Sequence, residues 1–214
     1  MPDFVKGVVQ FQNDVFPQKK ALFDKLSEGQ SPEALFITCS DSRIETGMIT
    51  QSEPGSLFVC RNAGNIVPPH IIEHSGGMTA SIEFAMAVLK IPHIVICGHT
   101  GCGAMQGAMA PETVAHLPHV REWLGYSKEA VDFVKKNCGS SSEDEQVLAL
   151  TERNVVLQID HLKSHPAVAK RLDADEVTLH GWIYDIKTGE VRAYDEASDE
   201  YRPVSEHYSS ILGG

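Results

Sequence analysis

Two short runs, ALFIT at 34–38 and HIVIC at 93–97, are apolar or β-branched at almost every position. Strands that alternate apolar and polar keep one wet face, whereas uninterrupted runs like these are buried on both faces. Such strands belong to sheets covered by helices. SLFVCR (56–61) and VTLHGWIYD (177–185) read as two further strands. VRAYD (191–195) follows KTGE, a glycine-containing turn, and so adds an antiparallel edge. SIEFAMAVLK (81–90) and the stretches near 103–110, 119–137 and 143–164 read as helices. GSSSEDEQ (139–146) reads as a loop ending in a capped, acidic helix start. The expected fold is α/β: a central, mostly parallel sheet of four strands plus one antiparallel edge strand, flanked by helices.

An N-terminal helical arm precedes the sheet. Residues 3–28 read as helical, with Phe4, Val8, Phe11, Val15 and Phe16 on one stripe and Leu22, Phe23 and Leu26 continuing it. Pro17 interrupts or kinks this segment. The stripe suits packing on the chain's own core or on a partner subunit. The whole of 1–214 is expected to form one domain, with 1–28 as a dimer-forming arm.

The charge balance narrows the partners. Asp plus Glu outnumber Lys plus Arg by 29 to 18, and no basic cluster breaks the acidity, which argues against nucleic acid. The longest apolar candidate for a membrane span, AMAVLKIPHIVIC, is interrupted by Lys90, Pro92 and His93, so no membrane partner is expected. No basic segment followed by an apolar block opens the chain, so no signal peptide is expected either. The five cysteines do not space as a disulfide framework. A cytoplasmic setting follows as the expectation, where cysteines are buried, catalytic or metal-bound.

Two motifs sit just beyond strand ends. CSDSR (39–43) follows ALFIT, and CGHTGCG (97–103) continues HIVI, placing His99 and Cys102 in an H-x-x-C spacing. If ALFIT and HIVIC are neighbouring parallel strands, both motifs open into the crevice beyond their carboxyl ends, and Cys39, His99 and Cys102 converge. Two thiolates and an imidazole suit zinc, and three protein ligands leave one position for water. Asp41 and Arg43 follow Cys39 at alternate positions. An Arg fork holds a carboxylate bidentately and keeps it ionised. A carboxylate held in this way can accept a proton from water on the metal; released from the Arg, it can instead bind the metal and close the site. Cys60, Cys97 and Cys138 read as core thiols. His161 and His165 read as an exposed helix end before Pro166.

CSDSR, EPGSLFVCRNAGN (53–65), SIEFA (81–85), CGHTGCGA (97–104), GQSP (29–32) and LHGWIYDIKTGEV (179–191) together resemble the β-class carbonic anhydrases, over about residues 3–205. The resemblance implies one Zn²⁺ per chain on Cys39, His99 and Cys102, and reversible hydration of CO2 to bicarbonate and a proton. It implies that zinc-bound hydroxide attacks CO2 and that the Asp41–Arg43 dyad orients the hydroxide. It also implies a substrate pocket of Gln30, Phe58, Ala63, Phe84 and the Gly103 N–H, and a homodimer or higher homo-oligomer, a tetramer included, with the active site at the dimer interface. Gln30 and Phe58 match the plant and cyanobacterial subgroup, whose zinc is open to water; Phe84 stands where that subgroup often has Tyr. The other subgroup builds a regulatory bicarbonate site from a Trp, an Arg and a Tyr; this chain keeps the Arg as Arg61 but has Phe36 at the Trp position and Thr38 at the small Gly position near it, so that site is not expected here. Two alternatives share the scaffold: a carbon disulfide or carbonyl sulfide hydrolase, and a non-catalytic, zinc-stabilised subunit.

Overall fold

The computed structural model describes residues 2–71 and 76–213. Two compact units divide the chain, the first ending at Ser31 and the second beginning at Pro32.

The first unit holds α1 (Asp3–Gln10), a wide π turn (Phe11–Val15), α2 (Phe16–Gln18) and α3 (Lys20–Glu28). The interruption expected at Pro17 is spread over both its flanks. Proline lacks an N–H and its ring crowds the carbonyl four residues earlier, which the widened turn relieves. The helix then breaks at Lys19, at φ −104° and ψ 16°. Phe11, Phe16 and Phe23 pack edge-on or tilted, with ring centroids 5.1–6.0 Å apart. Every residue of α1 to α3 stays at least part-exposed, and Phe4 is 75% exposed.

The second unit runs β1 (Ala34–Cys39), α4 (Thr46–Thr50), β2 (Leu57–Asn62), α5 (Gly77–Ala87), β3 (His93–His99), α6 (Gly103–Met109), α7 (Pro118–Leu124), α8 (Lys128–Asn137), α9 (Glu143–Lys163), α10 (Pro166–Leu172), β4 (Thr178–Tyr184), β5 (Val191–Asp195), β6 (Glu200–Pro203), α11 (Val204–His207) and α12 (Ser209–Leu212). One sheet has the order β2-β1-β3-β4-β5-β6. The first four strands are parallel, and β5 and β6 are antiparallel to their neighbours. The sheet therefore has one antiparallel strand more than expected. β6 is a four-residue edge strand ending on a proline, with no buried residue to make an apolar signal. Among the described residues, no helix is long and apolar enough to cross a membrane.

β1 lies between β2 and β3, so the chain progresses one way from β1 to β2 and the other way from β1 to β3. That reversal opens a crevice at the carboxyl ends of β1 and β3. Thr38 pairs with Arg61 on one side and Cys97 on the other, which brings the ends of β1 and β3 side by side. All six residues of β1 and all but the first of β3 are buried. Leu35, Ile37, Ile94 and Ile96 pack with Ile82 and Ala85 of α5 and Val155 and Ile159 of α9. Phe36, Val95 and Cys97 form a smaller cluster with Trp182. α9 lies close on the sheet because Gly181 has no side chain. A Cβ there would stand 2.9 Å from both Val155 and Ile159.

α9 starts as its sequence suggests. The Ser142 hydroxyl accepts from the Glu145 N–H and the Glu145 carboxylate accepts from the Ser142 N–H, satisfying two amides that the helix leaves unpaired. Its far end corrects one expectation. His161 and His165 are not an exposed terminus: His165 is 3% exposed and donates through Nε2 to the Pro68 carbonyl at 2.9 Å. Pro166 does not end the helical region but opens α10 at its first position, where a missing N–H costs nothing.

Candidate metal centre

Cys39 is the last residue of β1, His99 the last of β3, and Cys102 the residue that precedes α6. Gly101, at φ +64°, turns the chain between His99 and Cys102. The two sulfurs lie 3.9 Å apart, and the three ligand atoms all lie within 4.8 Å of one another. Tetrahedral zinc with Zn–S bonds of about 2.3 Å requires sulfurs about 3.8 Å apart, so the pair is already at ligand spacing. All three residues are buried.

The donor chemistry also fits an ion. His99 donates through Nδ1 to the Thr100 carbonyl at 3.0 Å, which leaves Nε2 with a lone pair. That Nε2 is buried and has no hydrogen-bond partner among the described residues. Buried nitrogens are rarely orphaned, and a metal accounts for this one. The Cys102 thiol hydrogen-bonds the Cys39 sulfur, and this holds the Cys39 thiol well below its usual range while raising that of Cys102. Cys39 also accepts the Gly64 N–H at 3.4 Å. By contrast, burial pushes Cys97 up to about 12 and raises Cys60, as for protonated core thiols.

Arg43 grips Asp41 with a fork, Nε to Oδ1 at 2.9 Å and Nη2 to Oδ2 at 2.7 Å, and its own N–H adds a third bond at 3.0 Å. These bonds hold the Asp41 carboxyl far below the usual carboxylate range, against the opposing effect of burial. Arg43 Nη2 also donates to the Gly101 carbonyl at 3.0 Å, tying the first motif to the turn inside the second. Asp41 Oδ2 lies 3.8 Å from His99 Nε2, so the carboxylate stands at the edge of the ligand cluster.

Arg61 has a role here that its position in β2 did not suggest. It donates to the carbonyls of Cys39 (3.1 Å), Asp41 (2.8 Å) and Ile44 (2.7 Å) and so braces the loop that carries the dyad. Backbone acceptors leave no mark in a sequence, so only the pairing of β1 with β2 reveals it.

The pocket residues are not assembled in the same way. Gly103 opens α6 directly after Cys102. Ala63 is exposed, and its carbonyl accepts the Trp123 indole N–H at 2.8 Å. Phe58 and Phe84 stack on each other at 6.2 Å. Phe58 pairs with Leu35, whereas Asn62 pairs with Cys39. The step of four residues from Phe58 to Asn62 spans about 13 Å along the strand, so the pair sits away from this chain's own cluster. Gln30 belongs to the first unit and is exposed.

The family model for carbonic anhydrase matches residues 34–191, which include all three candidate ligands. A carbonic anhydrase of Pseudomonas aeruginosa is 43% identical over 207 residues, covering 97% of this chain and 93% of that one. Among solved structures, the β-carbonic anhydrase CcaA superposes with a TM-score of 0.91 at 39% identity, over 94% of this chain and 98% of that one. One of two tetrameric β-carbonic anhydrases from the ascomycete Sordaria macrospora superposes with a TM-score of 0.78 at 32% identity, over 88% and 93%. With the fold, the Cys-His-Cys cluster and these relatives in agreement over nearly its whole length, the chain belongs to the β-class carbonic anhydrases.

Proposed function

We propose that the chain hydrates carbon dioxide reversibly to bicarbonate and a proton, with one zinc ion on Cys39, His99 and Cys102. The observation that carries this reading is the orphaned, buried His99 Nε2 facing two sulfurs at ligand spacing, with an ionised carboxylate at its edge. When bound, zinc supplies a Lewis acid that makes water nucleophilic near neutral pH. The residues around it then direct the chemistry. Asp41 accepts a hydrogen bond from the attacking water and turns its lone pair toward CO2. Arg43 keeps Asp41 ionised and in place, at the cost of none of its orientation. The Gly103 N–H, at the start of α6, helps hold the anionic product.

The same reading gives the remaining pocket residues a place. A stacked Phe58–Phe84 pair far from its own cluster suits an apolar wall for the site of a neighbouring copy, whereas Ala63 follows Asn62, the strand partner of Cys39. The role given to Gln30 is a hydrogen bond to bicarbonate. The exposed apolar stripe of the arm supports a homo-oligomer built this way. Reduced thiolates suit a cytoplasmic setting.

Purified enzyme assayed with CO2 and carbon disulfide side by side tests the proposal. CO2 hydration far above background, and its loss by 100-fold or so in Asp41→Ala with zinc retained, are expected. Background CO2 hydration beside rapid carbon disulfide turnover would reassign the substrate. Unchanged hydration in the variant would remove Asp41 from the mechanism.

A further inference from the structure

α9 carries polar residues at 151, 154, 158 and 161, three or four apart and so on one line of the helix. Thr151, Asn154 and Gln158 are at most 1% exposed. A buried polar line weakens a core unless every group on it is satisfied. Here the bonds form a directed chain. Ser127 Oγ donates to Asn154 Oδ1 at 2.8 Å, and Gln158 Nε2 donates to the same oxygen at 2.9 Å. Two donors on Oδ1 leave the Asn154 amide one orientation, in which Nδ2 must donate. It donates to the Gly64 carbonyl at 3.1 Å. Gln158 Oε1 in turn accepts the Val67 N–H at 2.8 Å. The loop from Gly64 to Val67 is thus fastened to α9 at both ends.

The first residue of that loop is the one whose N–H reaches Cys39 Sγ. Gly64 makes that approach at φ +83°, where a side chain would stand 2.9 Å from Met105 Cε and 3.1 Å from Ala104 Cβ. We propose that Asn154 is a positioning residue for the metal centre: by holding Gly64, it aims the Gly64 N–H at Cys39 Sγ and sets how strongly that sulfur donates to the ion. The proposal rests on the zinc reading above. An N–H bond to a thiolate draws charge from the sulfur, and outer partners of this kind change metal affinity by roughly 10–100-fold.

The full-length chain loaded with cobalt(II) gives a readout independent of activity. In Asn154→Ala, the sulfur-to-cobalt charge-transfer band is expected at longer wavelength than in the wild type. Ser127→Ala, which spares the bond to Gly64, is expected to lose stability and keep the band. A variant at Asn154 with a lowered melting temperature but an unmoved band overturns the proposal, since Asn154 is then only structural. If Asn154→Ala does not fold, Asn154→Ser replaces it, because a serine hydroxyl is too short to reach the Gly64 carbonyl. Wild-type chain loaded with cadmium-113 adds a check without mutation: a coupling between the Gly64 amide proton and the metal is expected, and its absence overturns the proposal. A wild type that binds neither cobalt nor cadmium overturns the zinc reading itself, which keeps the two failures apart.

Discussion

Two arginines near the candidate centre use the same fork for different ends. Arg43 spends it on a carboxylate and a turn carbonyl, and Arg61 on three carbonyls of one loop. Removing Arg61 leaves those carbonyls to water or to nothing. Arg61→Met is expected to lower stability by about 1–2 kcal/mol, read as a lower urea midpoint. Arg61→Lys should recover only part, since an ammonium has no planar fork. At this scale the sequence was most readable where side chains meet side chains. Cys39, Asp41, Arg43, His99 and Cys102 declare themselves by residue type and spacing. Arg61, Gly64 and Asn154 act on or through backbone groups, so nothing in their neighbours announces them. The reading of His161 and His165 failed for a related reason, since their acceptors are the carbonyls of Val67 and Pro68, almost a hundred residues earlier.

Elements followed the same rule of visible against invisible partners. β1 and β3 were legible because burial on both faces leaves an unbroken apolar run. β6 was not, because an edge strand with no buried residue has no reason to be apolar. The separation of Phe58 from the cluster depends on strand register, which no local pattern contains. The start of α9 was legible because a capping box is local chemistry. Ser142→Ala is expected to cost about 1 kcal/mol, read as a lower melting temperature, with no change in metal content.

For the whole molecule, acid sensitivity has an identifiable source away from the metal. His180 on β4 is held between His93 Nδ1 (3.2 Å) and Tyr208 OH (2.8 Å). Burial, helped by the charges of His93 and His207, pushes it down to about 4 from 6.5. Above about 6.5 neither folded nor unfolded chain protonates it, and the stability is complete. As pH falls from 6.5 toward 4, the unfolded chain takes up a proton that the folded chain refuses, so stability declines. His165, also lowered chiefly by burial, adds to the decline with the same sign. His180→Gln is expected to flatten the urea midpoint against pH over that window. The arm predicts a second global property. Phe4→Asp with Val8→Asp is expected to lower the mass seen by light scattering, since both side chains are more than half exposed without a partner copy.

The position of β1 between β2 and β3 also bears on how the chain reaches its native state. The two sulfurs come from residues 63 apart, and they meet only when β3 docks on the far side of β1. That contact is non-local and parallel, the slow kind of pairing, whereas the helices need only near neighbours. In a refolding experiment, capture of cobalt by the thiolates should therefore lag the recovery of helical circular dichroism. The metal would then serve as a clock for the crossover that completes the sheet.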